Sequence, residues 1–150
     1  INPMTKKERV QVDFHQGFIL DSLFDYFKET DDDSAQTSIK KGINFYKFSQ
    51  FSSQGISKWR YPKDYPIEIH NQSQGIITFS KLNEFLPDSL DFAKVIAKWT
   101  IKNMQDKEGY FYYQKYPLII NKIPYMRWNQ AWMLLALTTL EYYTNEQDCF

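Results

Sequence analysis

Apolar residues recur at helical spacing through most of the chain. In residues 6–29 they predict a first helix, with two possible starts marked by the capping-box patterns Thr5-x-x-Glu8 and Asp13-x-x-Gln16. The apolar positions of this helix are Phe14, Phe18, Ile19, Leu23, Tyr26 and Phe27. The acidic run Asp31–Asp33 with Ser34 then ends the first helix and begins the second. The second helix has Asp33-x-x-Gln36 as its capping box and extends to about residue 51.

Three further helices follow an irregular stretch at 52–66. The third is expected from a capping box at Asn71-x-x-Gln74 to about residue 85, and the fourth from Asp88 to about residue 105. The fourth helix has an inward apolar face of Ala93, Ile96, Ala97, Thr100 and Met104. A ring-rich segment near 110–120 predicts a short hairpin or extended loop. The fifth helix is expected at 126–144.

The fifth helix is the most unusual one, because it carries no charge between Arg127 and Glu141. A helix that is apolar all round should be buried on every side. Its polar residues crowd at the N-terminal end, where free backbone N–H groups and the positive end of the helix dipole point outward. This end therefore gives the strongest indication of a functional site.

Composition excludes several classes of function. Lys and Arg number 18 and Asp and Glu number 18, so no net charge favours nucleic acid or an anionic membrane. No apolar run is long enough for a membrane span, and no zinc set or phosphate loop indicates a metal or cofactor. The single cysteine, Cys149, excludes a disulfide framework. Aromatic residues make up 18% of the chain, which fits either a ring-filled core or ring-lined grooves.

Glutamines mark an internal repeat. Gln16 and Gln74 lie 58 residues apart, Gln74 and Gln130 lie 56 apart, and each precedes a small residue and an apolar helix. A more polar helix lies between each pair. Such a period predicts stacked helical hairpins, in which inner helices alternate with outer ones. The sequence thus predicts one all-α domain over residues 1–150.

Three segments resemble α/α-toroid proteins: DFHQG at 13–17, IEIHNQSQGII at 67–77 and PYMRWNQAW at 124–132. That group includes six-hairpin glycosidases, uronate lyases and epimerases, and the terpenoid-cyclase and prenyltransferase toroids. The nearest likeness is to the C-terminal part of bacterial toroid proteins from polysaccharide loci. Some of these carry the name delta-aminolevulinic acid dehydratase, which this sequence does not support: it has one terminal cysteine, no βα alternation and no pair of Schiff-base lysines.

The resemblance implies an incomplete α/α toroid of about two and a half hairpins, with a funnel where the inner helices begin. A uronate lyase, epimerase or hydrolase is the enzyme class that it implies, acting on an acidic sugar or another anionic small ligand. Catalytic roles would fall to His15, His70 and Tyr113, as base and acid next to a carboxylate neutralised by Arg127. The expected substrate-binding residues are Gln16, Trp59, Arg60, Asn71, Gln74, Tyr112, Arg127, Trp128, Asn129 and Gln130.

Each of these roles has a structural alternative. Gln16 and Gln74 could serve only as helix caps, and the histidines could be structural. Arg127 could pair with Glu68 or Asp13, the two carboxylates that hydrolysis would use at this mouth. The run Asp31–Asp33 could be a metal–diphosphate cluster, as in terpenoid cyclases, although a solvated linker is favoured. The whole domain could also be a non-catalytic scaffold that binds carbohydrate or protein.

An incomplete ring should also expose apolar side chains at its two ends, and the expected ones are Phe14, Phe18, Trp132 and Tyr142. We therefore expect association, either as a homo-dimer or with a missing N-terminal part of the same chain. A chain that begins with Ile1 is compatible with a fragment of a longer protein. The sequence leaves the cellular location open, with the cytoplasm as first expectation.

Overall fold

The computed structural model describes the backbone of residues 13–148 and the side chains of residues 14–146. Its helices are α1 (Asp13–Thr30), α2 (Asp33–Phe45), α3 (Ile69–Lys81), α4 (Ser89–Met104) and α5 (Trp132–Asp148). A π-helical segment, Tyr46–Gln50, extends α2, and another, Met126–Ala131, leads into α5. Thr5, Glu8 and Cys149 lie outside the described residues. Within them, no helix combines the length and apolar character needed to cross a membrane.

The three predicted inner helices lie side by side, with α3 between α1 and α5. Near their N-terminal ends the rings of Phe14 and His70 stack with centroids 4.4 Å apart. Farther along, Lys81 Nζ lies 3.1 Å from Asp25 Oδ1. Residue numbers rise together along the two helices, so α1 and α3 are parallel. The side-by-side packing that the repeat predicted is confirmed.

The two outer helices run in the opposite direction. The Ser89 hydroxyl at the start of α4 donates to the Phe79 carbonyl near the end of α3, at 2.7 Å. At the other end of α4, Thr100 Oγ1 accepts a hydrogen bond of 2.9 Å from Gln72 Nε2 near the start of α3. The apolar face predicted for α4 is buried at all five positions. Alternating inner and outer helices confirm the all-α, partial-toroid prediction.

The wholly buried helix is α3, and the prediction that α5 is buried on every side was wrong. Every residue from Ile69 to Ser80 is buried, whereas Leu134 and Leu135 of α5 are 66% and 49% exposed. The cause is the position of each helix in the arc, because α3 has an inner helix on each side, whereas α5 packs mainly against α3 and, less extensively, against α4. Of the four rings expected at the ends of the arc, only that of Tyr142 is exposed; those of Phe14, Phe18 and Trp132 are partly buried.

The helix starts differ from the capping patterns. Asp32, not Asp33, caps α2, and its Oδ1 accepts from the Ser34 amide at 2.8 Å. Neither α3, preceded by Glu68, nor α4, preceded by Asp88, has a side-chain cap. Helix α3 begins two residues before the predicted Asn71, because the α4–α5 connection supplies a backbone partner in place of a cap: the Ile69 amide donates to the Tyr113 carbonyl at 3.0 Å.

The two outer-to-inner connections contain the same turn. Antiparallel bridges join Phe51 to Ser57 and Gln105 to Phe111, and each turn holds a glycine with positive φ, Gly55 at 77° and Gly109 at 94°. Only glycine adopts this backbone without strain. The first connection leads into α3 and the second into α5.

A pair of side-chain amides holds each turn against the next inner helix. Gln72 Oε1 accepts from the Ser57 amide at 2.7 Å, and Gln130 Oε1 accepts from the Phe111 amide at 2.9 Å. The structural repeat therefore matches Asn71-Gln72 with Asn129-Gln130, a spacing of 58 residues. The predicted match of Gln74 with Gln130 was two residues out of register, because sequence alone does not show which glutamine faces a loop.

A small antiparallel sheet joins the connections. Its strands are β1 (Ile67–Glu68), β2 (Gln114–Lys115) and β3 (Ile120–Asn121), in that order. The hairpin predicted near 110–120 is confirmed. Strand β1 was not predicted, and it pairs Ile67 with Lys115 and Glu68 with Gln114. This pairing brings Glu68 beside the segment that leads into α5.

The close contact between Gly75 and the Phe51 ring allows a test of the packing. A Cβ at Gly75 would overlap the Phe51 ring, which is buried against Tyr46 and Phe79. We expect Gly75→Ala to lower the free energy of unfolding by about 1–3 kcal/mol, as overpacking does. The control is Gly42→Ala, whose Cβ would meet only the flexible end of Leu20 and which gains up to about 1 kcal/mol of helix propensity. Urea unfolding measures both, and equal effects would contradict the packing described.

Candidate functional site

An open cleft of about 410 Å³ lies where the chain enters α5. Its lining residues are Tyr113, Tyr125, Met126, Arg127 and Trp128. Tyr113 directly precedes β2, Tyr125 directly precedes the π-helical segment, and the other three are the first residues of that segment. The cleft is thus at the N-terminal end of an inner helix, the location that the sequence predicted, and it contains three aromatic rings and one cation.

Arg127 is exposed at this cleft. Within the described part of the chain, no carboxylate oxygen lies within 4.0 Å of its guanidinium. The alternative of an ion pair with Glu68 is therefore not formed, and the Asp13 side chain lies outside the described residues. A guanidinium offers a planar pair of donors that matches a carboxylate or phosphate.

Glu68 is the buried carboxylate of the site, with only 5% of its surface exposed. Trp128 Nε1 donates to Glu68 Oε1 at 3.0 Å, and Gln114 Nε2 donates to Oε2 at 3.2 Å. Both donors are neutral. Within the described part of the chain no cation lies within 4.0 Å of this carboxylate, and burial of a carboxylate without a cation is costly. Glu68 was considered only as an alternative at the sequence level, because the β1–β2 pairing that places it is not visible in local patterns.

Tyr113 lines the cleft and lies edge-on to Tyr125, with ring centroids 5.2 Å apart. Burial, with the nearby charge of Glu68, raises the pKa of Tyr113 above its usual value. The phenol therefore stays protonated at neutral pH and can donate a proton or hydrogen bond but does not act as a base. Tyr112 does not line the cleft, because its hydroxyl donates to Asp106 Oδ2 at 2.7 Å on another side of the loop.

His70 is enclosed by aromatic rings. Its centroid lies 4.4 Å from Phe14, 4.5 Å from Trp128 and 4.6 Å from Trp132. Burial, together with nearby His15, lowers the pKa of His70 to about 4, so the imidazole is neutral at pH 7. Neither ring nitrogen has a hydrogen-bond partner among the described residues. Trp128 lines the cleft and also packs edge-on against this histidine, whereas His70 itself does not line the cleft.

The second predicted histidine lies at the same end of the arc. The exposed His15 ring stacks on Phe14 with centroids 4.1 Å apart, and Phe14 in turn stacks on His70. The structure thus gathers both histidines near Trp128, although neither lines the cleft. Gln16 follows on α1 and is partly buried.

Most predicted amides bind the protein's own backbone. Asn71 Nδ2 donates to the Lys58 carbonyl at 3.0 Å, and Asn129 Nδ2 donates to the Ile123 carbonyl at 2.8 Å. Gln130 bonds both the N–H and the C=O of Phe111. These bonds position the loops that carry the cleft residues. Gln72, which does the same for the first connection, was not identified from the sequence.

The remaining predicted residues lie away from the cleft lining. Gln74 is fully buried, where its Nε2 donates to Asp21 Oδ2 at 2.9 Å and to Thr78 Oγ1 at 3.0 Å. Trp59 and Arg60 lie on the α2–α3 connection, with the guanidinium 4.2 Å from the indole centroid. Among residues 13–148, no cluster of three or more His, Cys, Asp or Glu side chains is arranged to hold a metal ion.

The fold has a counterpart among solved structures. The chain is similar over 96% of its length to a glycoside hydrolase family 76 (GH76) α-mannanase from Bacteroides thetaiotaomicron, with a TM-score of 0.77 and 18% sequence identity. It spans 42% of that protein. At this identity the likeness shows the α/α-toroid fold alone. No protein-family model matches the chain, and no curated protein does.

Two buried titratable groups give opposite pH dependence. Burial raises the pKa of Asp21 to about 6 from 3.8, although Lys81 opposes the shift. Between pH 6 and about pH 4, the folded state binds a proton at Asp21 more readily than the unfolded state does. The contribution of Asp21 to stability therefore rises as the pH falls. For His70, lowered from 6.5 to about 4, the unfolded state binds the proton more readily, so stability falls over nearly the same range.

Because Asp21→Asn removes one of the two opposing groups, we expect it to reveal the pH dependence of stability that His70 causes. The variant should lose about 1–3 kcal/mol more stability than the parent between pH 6.5 and pH 4. Urea unfolding at both pH values, followed by circular dichroism, measures the difference. In the control His70→Phe, the free energy of unfolding should instead rise as the pH falls. If the free energy of unfolding changes equally with pH in the parent and in Asp21→Asn, the pKa shift assigned to Asp21 is contradicted.

Proposed function

We propose that this chain is part of a carbohydrate-active α/α toroid and that the cleft beside Arg127 binds an acidic saccharide. The observation that supports this most directly is a guanidinium without a carboxylate partner among the described residues, exposed within a group of aromatic rings. Rings bind the apolar faces of sugars, and the guanidinium fits a uronate carboxylate. The similarity of the fold to a glycoside hydrolase agrees with a carbohydrate ligand.

The geometry of the cleft gives each group a separate role in this proposal. Trp128 and Tyr125 would stack on the sugar ring, while Arg127 would hold its carboxylate as a bidentate pair. The Tyr113 hydroxyl, kept protonated, would donate to a ring substituent. Backbone N–H groups at the start of the π-helical segment add positive potential at the same place.

Proton abstraction next to a uronate carboxylate is the reaction that these groups support best. Arg127 would stabilise the developing negative charge, and Tyr113 would supply a proton to the leaving oxygen or the opposite face. The base would be one of the predicted histidines, and for His70 this requires Trp128 to move. Hydrolysis would instead need a second carboxylate facing Glu68, from Asp13 or from a part of the toroid beyond this chain.

A non-catalytic binding role is the second candidate. The burial of His70 behind Trp128 favours it, because a neutral histidine without access to the cleft cannot take a proton from a bound sugar. Incubating the longest available protein that contains this chain with uronate oligosaccharides separates the two candidates. Ultraviolet-absorbing unsaturated products, or exchange of the C5 proton with solvent, would indicate catalysis, and binding without either would indicate the second role.

Arg127→Ala tests the binding proposal. We expect the variant to fold normally, because Arg127 is exposed and has no carboxylate partner in the described structure. It should bind an oligogalacturonate at least tenfold more weakly, a loss of about 1.4 kcal/mol. The affinity of Arg127→Lys should lie between those of the parent and Arg127→Ala, because lysine keeps the charge but lacks the planar pair of donors. Titration calorimetry measures both. Lys122→Ala is the control, since it removes an exposed cation over the Tyr112 ring, outside the cleft lining.

Two outcomes would overturn the binding proposal. One is equal binding of oligogalacturonate by Arg127→Ala and the parent chain. The other is a melting temperature of Arg127→Ala far below that of Lys122→Ala, because breaking a buried ion pair costs about 3–5 kcal/mol and would make the residue structural.

We also propose that a further inner helix covers the free side of α5, from a second copy or from the missing part of the toroid. The repeat of 58 residues matches Leu134 and Leu135 with Ile76 and Ile77 of α3, which are buried, with at most 5% exposed. The smaller residues follow the same pattern, since Ala131 and Thr138 are exposed and match the buried Ser73 and Ser80.

Polar substitution of that face should abolish association. We expect the 150-residue chain to self-associate in sedimentation experiments and the double variant Leu134→Gln, Leu135→Gln to be monomeric with unchanged helix content. The control pair is Val95→Gln, Ile101→Gln, on exposed positions of the outer helix α4, which should associate like the parent. A parent chain that is monomeric at all concentrations would contradict the proposal of a second copy.

A further inference from the structure

The segment that leads into α5 repeats the segment that leads into α3. Three residue types recur with a spacing of 58 positions: Pro66, Asn71 and Gln72 match Pro124, Asn129 and Gln130. The cleft residues 125–128 therefore match residues 67–70, which include strand β1. The two sets differ in environment, since residues 67–70 are at most 5% exposed, whereas residues 125–128 are all exposed.

The α4–α5 connection and the start of the π-helical segment cover residues 67–70. Strand β2 pairs antiparallel with β1, and the pairing extends one residue further, where the Ile69 amide donates to the Tyr113 carbonyl at 3.0 Å. The Trp128 ring then packs edge-on against His70, with centroids 4.5 Å apart. In the first repeat, the backbone just ahead of the inner helix thus binds a strand from the connection that follows it in the chain.

The matching backbone ahead of α5 has a similar conformation and unpaired donors. Tyr125 has a ψ of 120°, close to the 134° of Glu68, the residue directly before α3. Within the described part of the chain, the amides of residues 125–128 donate no hydrogen bond to a backbone or side-chain acceptor. The Arg127 amide matches the Ile69 amide, which bonds the incoming strand. The second repeat therefore presents a backbone edge to which a strand can add.

We propose that an extended strand of polypeptide adds antiparallel to residues 125–127, as β2 adds to β1. The Arg127 amide donates to a carbonyl of that strand, and main-chain hydrogen bonds supply most of the affinity. Both connections that the structure describes are already held by their own glutamines, so a second copy has neither to offer. The strand comes from the part of the toroid beyond this chain, in the connection ahead of the further inner helix; this source rests on the proposed function.

The incoming strand also completes the cleft. In the first repeat, Gln114 of β2 lies opposite Glu68, and its Nε2 reaches the Glu68 carboxylate at 3.2 Å. The match of Glu68 is Met126, which lines the cleft, so a side chain of the incoming strand lies beside the cleft and can contact its ligand. The guanidinium of Arg127 stays available to a saccharide, because the strand uses only the backbone amide of this residue.

A peptide with the sequence of the strand that already adds to β1 tests the proposal. The probe is a synthetic peptide of residues 111–117, titrated into the 150-residue chain and followed by amide chemical shifts. The amides of residues 125–128 should shift, with a Kd on the order of 1 mM for so short a ligand. The control is the same peptide with Gln114→Pro and Lys115→Pro, which cannot pair with a strand and should cause no shift there.

Hydrogen exchange tests the source of the strand. In the longest available protein that contains this chain, the Arg127 amide should exchange at least tenfold more slowly than in the 150-residue chain. The Ile69 amide is the reference, because its acceptor is present in both. If the Arg127 amide instead becomes protected in the 150-residue chain alone as the concentration rises, a second copy supplies the strand and the assigned source is wrong.

The controls separate this proposal from those for the cleft and for α5. Arg127→Ala should bind the peptide like the parent chain, because it keeps the backbone amide, although we expect it to lose oligogalacturonate. Leu134→Gln, Leu135→Gln should also bind the peptide normally, although we expect it to be monomeric. The strand proposal is overturned if the peptide leaves the amides of residues 125–128 unshifted, or if the proline-containing peptide shifts them equally.

Discussion

The structure depends on side-chain amides that hydrogen-bond the backbone of the connecting loops. Each connection passes under the start of an inner helix, where water cannot satisfy its N–H and C=O groups, and an unpaired group there costs about 1–3 kcal/mol. Gln72 bonds both the Ser57 amide and the Gly55 carbonyl, and Gln130 does the same for Phe111. These bonds fix each loop, and the second connection in turn carries residues of the cleft.

The loops that these amides hold in place bring Glu68, Trp128 and His70 together. Strand β1 can form only because the second connection is held in place, and β1 brings the Glu68 carboxylate to the Trp128 indole. The same indole closes the ring box around His70. The Trp128 side chain, itself 36% exposed, thus contacts both a buried carboxylate and a buried neutral histidine, while Arg127, next to it in sequence, is exposed at the cleft. Two consecutive residues of the π-helical segment therefore have different environments: Trp128 contacts buried groups, and Arg127 is exposed.

Local patterns predicted the elements well, and the errors arose where burial depends on the whole arrangement. The inward face of α4 follows from its spacing alone, since an amphipathic helix has one dry side wherever it packs. Helix α5 is more apolar than α3, yet α3 is the buried one because it has a neighbour on each side. Likewise Gln74 matched a capping pattern, whereas Gln72 holds the loop; the difference lies in which glutamine faces the chain 15 residues earlier. Glu68 could not be assigned to the site before the pairing of β1 with β2 was known.

The complete burial of α3 also affects how the arc can open. A helix covered on all sides exposes its backbone amides to solvent only when its neighbours separate from it, so hydrogen exchange in α3 reports the opening of the whole arc. Helices α1 and α5 each have an edge without an inner neighbour in the described structure and can detach singly. In a linear stack of repeats, stability is close to a sum of nearest-neighbour interfaces. An edge helix can therefore be exchanged for an equivalent helix of another molecule while the centre stays folded, which makes this architecture suited to domain swapping.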